Sequence, residues 1–204
     1  MRRYTLRSLW LLIGCVGVFS WIASSIFHAR DVTWTERMDY FGAQAYLTSQ
    51  FLGGLARLFG RRVARWFALP LFLGFTYHVL YLTVILPRFD YGYNMIVMIT
   101  MGLLNCMCWL MWCWKNRRDN PHASIGAITI VAVLLTSLLE VLEFEPLWHA
   151  IDSHALWHIS TIPMSYSFFE FVRRDSLHHH RCLKAQGRDA PTGAAEGQEP
   201  SKTS

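Results

Sequence analysis

The sequence predicts an all-α fold, a polytopic membrane bundle of six spanning helices, on three observations. Only 16% of the 204 residues are charged and 53% are hydrophobic, with a mean hydropathy of +0.23, whereas ordinary soluble domains carry about 25% charged residues. Apolar runs of roughly 20 residues, the length a helix needs to cross a bilayer, recur along the chain. The loops between those runs alternate in charge, basic then acidic, as expected of a chain that crosses repeatedly.

The first apolar run, residues 9–28, follows a short basic start. Its length, its bulky end and its terminal His28 mark a spanning helix rather than a cleaved signal peptide. A polar loop over residues 29–38 leads through Asp39 into the second run, residues 40–59. This run is the least apolar, with Gln44, Thr48, Ser49, Gln50 and Arg57, and its Gly53-Gly54 pair permits close helix contact. The basic loop 60–65 precedes the third run, 66–86. After residues 87–93 the fourth run, 94–114, has Trp and Tyr near its ends, as interfacial anchors do. The basic loop 115–122 precedes run five, 124–142, and the acidic stretch 143–152 joins it to run six, 154–172. Residues 1–177 thus form one multi-pass membrane domain. The polar remainder, 178–204, has almost nothing to bury and is expected to be a disordered cytosolic tail. Within it His178-His179-His180 reads as a solvated tract.

Charge sets the orientation. One group of loops holds Arg2, Arg3, Arg7, Arg57, Arg61, Arg62, Arg65, Lys115, Arg117, Arg118, Arg173 and Arg174. The other holds Arg30, Arg37 and Arg88 among Asp31, Glu36, Asp39, Asp90, Glu143, Glu145 and Asp152. The basic side, with both termini, is cytosolic, and the acidic side faces the lumen or exterior. The net charge of +5 therefore reads as a topology determinant and not as a nucleic-acid surface. Of the cysteines, Cys15, Cys106, Cys108 and Cys113 lie in apolar runs and Cys182 in the tail. Spread around their helices, they read as packing residues, not as a disulfide framework or metal site.

The polar residues in the membrane domain converge on one depth. His154 and His158, four residues apart, share one helix face. Ionisable groups are costly in a bilayer and are usually functional there. The six-span topology brings His28, at the luminal end of run one, to the same level, along with Asp39 at the start of run two. Ser24 lies one turn before His28 on its face. Three histidines with an open fourth position suit a catalytic zinc site, in which the ion lowers the pKa of its water to about 7. Asp39 would orient that water and carry its proton, and Ser24 would hydrogen-bond Asp39 or an oxyanion. His149 is a possible substitute ligand or supporting residue, and Asp152 a partner that fixes a ligand histidine's tautomer. His78, in mid-membrane, reads as a packing or hydrogen-bonded histidine.

The set Ser24-x-x-x-His28, Asp39 and His154-x-x-x-His158 resembles the signature of the CREST superfamily of membrane hydrolases. Three stretches resemble one branch of it, the post-GPI-attachment-to-proteins factor 3 family: Phe27-His28-Ala29-Arg30-Asp31 with Met38-Asp39-Tyr40-Phe41; Arg88-Phe89-Asp90-Tyr91-Gly92-Tyr93-Asn94; and His154-Ala155-Leu156-Trp157-His158-Ile159-Ser160-Thr161-Ile162-Pro163. The likeness runs from about Tyr4 to Leu177. It implies a Zn²⁺ ion on His28, His154 and His158, with Asp39 and Ser24 as the water-orienting pair. It also implies phospholipase A2-like removal of the unsaturated sn-2 acyl chain from glycosylphosphatidylinositol (GPI)-anchored proteins, in the Golgi or, as in yeast, the endoplasmic reticulum. Members of that family have a signal peptide, a cysteine-rich luminal domain and one further helix ahead of the first run here. Against their seven spans the chain is expected to be N-terminally truncated. Rival readings are a non-catalytic membrane receptor or chaperone with structural zinc, a haem carrier using His28 with His154 or His158, and an inactive truncated product.

Overall fold

The structure, a computed structural model, describes residues 6–141, 144, 146 and 151–188. Among the described residues the regular elements are all helical: α1 (Arg7–Ala29), α2 (Thr33–Leu58), α3 (Arg61–Leu80), which runs on as a π-helical turn (Tyr81–Ile85), α4 (Tyr91–Asn116), α5 (Ala123–Thr136), α6 (Leu138–Val141) and α7 (Ser153–Arg188). The fold is an all-α membrane helical bundle. Among the described residues three helices are long and apolar enough to cross a membrane: α1, α3 with its π turn, and α4. Helices α2 and α7 are long but more polar, and α5 has only 14 residues.

Three boundaries differ from the sequence reading, each for a local reason. Helix α2 starts at Thr33 instead of residue 40. The buried Thr35 hydroxyl accepts from the Val32 amide at 3.1 Å and lies 2.7 Å from the Arg30 carbonyl, closing the helix start as a capping residue does. Asp39 therefore stands inside α2. The fifth run is interrupted, because the Thr136 and Ser137 hydroxyls both turn back onto the Val133 carbonyl, at 3.1 and 2.8 Å. Such back-bonding competes with the helical ladder, and the chain resumes as the short α6. Helix α7 continues to Arg188, so the expected end of the membrane domain at residue 177 falls within a helix. Just before that point Asp175, 1% exposed, packs α7 against the bundle. Residues 189–204 lie outside the described residues.

The buried core occupies the basic half of the bundle. Trp109 is its centre, with ring centroids of Trp10, Phe168, Phe171 and Trp112 at 6.0, 5.4, 5.7 and 6.2 Å. The free cysteines Cys106, Cys108 and Cys113 are buried around it, as packing residues. Small residues set the helix spacing. A Cβ on Gly42 of α2 would lie 3.4 Å from the Ser20 Cα of α1, and one on Gly53 would strike Ile13 at 2.8 Å. Close approach of this kind is how membrane helices associate without a hydrophobic driving force.

One ion pair crosses the same half. Arg57 of α2 donates to the Asp175 carboxylate at 2.6 Å, and the Asn120 amide, from the α4–α5 turn, donates to the same oxygen at 2.7 Å. The guanidinium also lies over the Trp112 ring, 4.9 Å from its centroid. Two helices and a turn are thereby joined through one buried carboxylate.

Removing one member of a buried pair strands the other charge, at about 3–5 kcal/mol, whereas replacing both with apolar residues is often neutral. Arg57→Met is expected to lower the thermal midpoint of the detergent-solubilised protein sharply, and Arg57→Met with Asp175→Leu to recover most of the loss. Thermal unfolding curves of the two variants check this; equal loss in both would show that the pair is not the cause.

Candidate metal centre

The three helix ends at the acidic side of the bundle bring the candidate residues together. His28 stands in the last turn of α1, and His154 and His158 in the first turns of α7, started by Asp152. The Asp152 carboxylate accepts from the Ala155 amide at 2.7 Å, the bond of an N-cap. Asp152 thus begins the helix that carries both histidines.

The Nε2 atoms of His28 and His158 are 3.2 Å apart, and those of His158 and His154 are 3.0 Å apart. Each residue offers one ligand atom, and all three lie within 4.8 Å of one another. A neutral ring nitrogen carries either a proton or a lone pair, so His158 Nε2 satisfies one of its two neighbours well and not both. A shared cation resolves that conflict. Nitrogens bound to zinc at 2.0–2.1 Å in a tetrahedron sit about 3.3 Å apart, close to both separations. The donor set fits a divalent metal, and among the described residues no other group of His, Cys, Asp or Glu has ligand spacing.

Asp39 and Ser24 flank the trio. Ser24 is buried in α1, 8% exposed, and lies beside the Asp39 carboxylate of α2, close enough to interact with it, while that carboxylate lies near enough to His28 and His154 to feel their charge. All five candidate residues are therefore gathered, from three helices. Of the others, His78 sits 2% exposed between the rings of Phe41 and Tyr93 at 6.0 and 5.5 Å, with Asn94 beside it, and is not part of the trio. His149 lies outside the described residues. His178 is in the basic half, 3.7 Å from Cys182.

Aromatic walls around the trio were not foreseen. Trp157 is 4.7 Å from His158 and 5.6 Å from His154, and Trp21 of α1 stands edge-on to His158 at 6.3 Å, all between centroids. Trp157 could have been found, being one residue from His158 within the motif; Trp21 is signalled only by lying one helical turn before Ser24 and Ser25. Trp21 also borders an open apolar groove of about 430 Å³ along α1, with Val18, Ile22, Ser25, Ile26 and Ala29. The backbones of α1 and α7 do not pack: among the described residues, no Cα of one comes within 8 Å of the other. Side chains alone bridge them.

Residues 1–176 match the model of the Per1-like family. The chain is 42% identical over 166 residues to the Mus musculus protein named GPI-specific phospholipase A2-like PGAP3, covering 80% of this chain and 51% of that protein. The Homo sapiens protein of the same name is 41% identical over 166 residues, with the same shares covered. The Schizosaccharomyces pombe protein PER1 homolog is 36% identical over 167 residues, 78% of this chain and 50% of that one. This chain thus spans about half the length of the relatives it matches. No solved structure matches it.

An ion held by all three imidazoles predicts a tetrahedral visible absorption when metal-stripped protein is titrated with Co²⁺. His154→Ala or His158→Ala is expected to abolish the band and His78→Ala to leave it. A band that survives both ligand substitutions would place the metal elsewhere.

Proposed function

The chain belongs to the Per1-like family, and on that premise we propose that it is a zinc-dependent membrane hydrolase that removes the unsaturated sn-2 acyl chain from GPI-anchored proteins. The observation that carries the reading is the trio His28, His154 and His158, with Nε2 separations of 3.2 and 3.0 Å, beside the neighbouring pair Ser24 and Asp39. The substrate class follows the names of the relatives, GPI-specific phospholipase A2-like. By the same resemblance it works in the Golgi membrane, or in that of the endoplasmic reticulum.

Zinc on the three imidazoles would supply a water of lowered pKa and polarise the ester carbonyl. The remaining work falls to the chain's own groups. The Asp39 carboxylate takes the proton of the attacking water as the new C–O bond forms at the ester carbon. It returns that proton to the glycerol oxygen as the old C–O bond breaks, leaving a free fatty acid and a lyso-lipid. Ser24, donating to Asp39, holds the carboxylate in place between the two transfers. Trp21 and Trp157 lay apolar rings against His158 and His154, and the groove beside Trp21 gives an acyl chain an apolar bed next to the centre. A centre at the helix ends lies where the ester of a membrane lipid sits, between hydrocarbon and headgroup.

Complementation of cells that lack GPI acyl remodelling tests the proposal, with the sn-2 chain of a GPI-anchored reporter read by mass spectrometry. The chain is expected to restore remodelling and its His158→Ala variant to fail. In purified protein, Asp39→Asn is expected to lower kcat by about 10²–10⁴. Ser24→Ala, which removes one hydrogen bond to a charged group, is expected to lower it about ten- to a hundredfold. Equal remodelling by the chain and His158→Ala would refute the reading.

A further inference from the structure

A second ordered group stands beside the metal centre at the same end of the bundle. Phe27 packs on His28 at 5.2 Å and on Tyr40 at 6.5 Å. Tyr40 stacks on Phe89 at 5.5 Å and 24°, and Tyr91 closes the set at 6.1 Å from Tyr40 and 4.9 Å from Phe89. The rings thus run without a break from a candidate metal ligand to Tyr91, which is 53% exposed. The Tyr91 hydroxyl donates to the Glu36 carboxylate, and the exposed Asp31 is near enough to act on the same hydroxyl. Asp90 is committed to α4, accepting from the Tyr93 amide at 2.9 Å.

Tyrosines at a membrane interface often serve only as anchors, each ring turned toward lipid. Here the rings pack on one another instead, and the outermost one is tied to a carboxylate. Anchoring requires neither feature. Nor does the pair suit a metal, since Asp31 and Glu36 belong to no group with ligand spacing. Carboxylates next to an exposed ring suit an organic cation, whose ammonium takes charge-assisted hydrogen bonds while its C–H face lies on the aromatic surface.

We propose that Tyr91, Glu36 and Asp31, backed by Tyr40 and Phe89, form a subsite for an unacetylated aminosugar on the substrate's headgroup. The sugar's apolar face would rest on Tyr91, and its ammonium would sit between Glu36 and Asp31. The identity of the substrate rests on the hydrolase reading above, while the subsite rests on its own geometry. Three ring-to-ring steps of 5.2, 6.5 and 6.1 Å separate His28 from Tyr91. A glycerol, a phosphate and an inositol ring likewise stand between an sn-2 ester and a sugar attached to the inositol. The subsite therefore selects for a glycosylated inositol lipid over plain phospholipids, which offer neither the sugar face nor an amine at that reach.

The test compares glucosaminyl-phosphatidylinositol with its N-acetylated form, which keeps the sugar but removes the charge. Binding of short-chain versions to the full chain in nanodiscs is measured alongside turnover. The wild type is expected to bind the free amine at least tenfold more tightly, with the difference appearing in KM and not in kcat. Glu36→Gln is expected to erase most of the preference. Tyr91→Ala should weaken both lipids, and Tyr91→Phe should keep the stacking. Equal binding of the two lipids by the wild type, or a preference untouched by Glu36→Gln, would overturn the subsite. Discrimination in binding without turnover would sustain the subsite and sink the hydrolase reading. Turnover without discrimination would do the reverse.

Discussion

The metal centre depends on α2 acting as a ruler between two helices that do not pack on each other. His28 rides on α1 and the other two histidines on α7, yet the backbones of α1 and α7 stay more than 8 Å apart among the described residues. Helix α1 packs on α2, whereas α7 packs on α5 and α6 and reaches α2 only through side chains. At Gly42 a Cβ would stand 3.4 Å from the α1 backbone, which fixes α1 on α2 along the stretch that carries Ser24 and Asp39. At the far end the Arg57–Asp175 bond of 2.6 Å ties α2 to α7. A charged bond in a low-dielectric setting is directional and costly to break, so it sets a register where an apolar contact would slide. The same constraint explains why α7 extends beyond its apolar run: Asp175 has to be helical to reach Arg57.

This arrangement divides the bundle into two unlike halves. The basic half is filled by Trp109, Trp112, Phe168, Phe171 and the buried cysteines, with a Thr129–Ser167 hydroxyl bond of 2.6 Å fastening α5 to α7. Among the described residues the acidic half has no such core. Its contacts are hydrogen bonds, ring edges and the histidine trio. Close packing in one half supplies the stability that the polar half does not, because buried polar groups gain little net energy even when satisfied. That division leaves the acidic ends free to carry chemistry.

The five candidate site residues were legible in the sequence because each is an ionisable or hydroxylic group at a bilayer depth where such groups are expensive. The i,i+4 spacing put His154 and His158 on one face, and loop charge put His28 and Asp39 at their level. The fold class was legible for the same reason, in the length of the apolar runs. Less legible was whatever depends on partners distant in sequence. Arg57 counted as one more basic loop residue and Asp175 was not singled out, since neither reveals alone that it is paired. Helix starts were misplaced where a side chain overrules hydropathy, as Thr35 does for α2. The aromatic run to Tyr91 was not read as one group, because composition does not say whether rings face lipid or one another.

The gap between α1 and α7 also bears on how the centre would assemble. His28 comes from one side of it and the α7 histidines from the other, so an ion on all three joins helices that nothing else in this half draws together by backbone packing. Part of its binding energy would then go into holding the gap at one width. The groove along α1 opens beside Trp21, whose ring stands edge-on to His158. An acyl chain lying there would meet the centre from the membrane side, while the ring surface ending at Tyr91 meets it from the headgroup side. One lipid could span both only with its ester between them, at the histidines. Selectivity for the position of the cleaved bond would then follow from where the two surfaces meet, without a separate device to measure it.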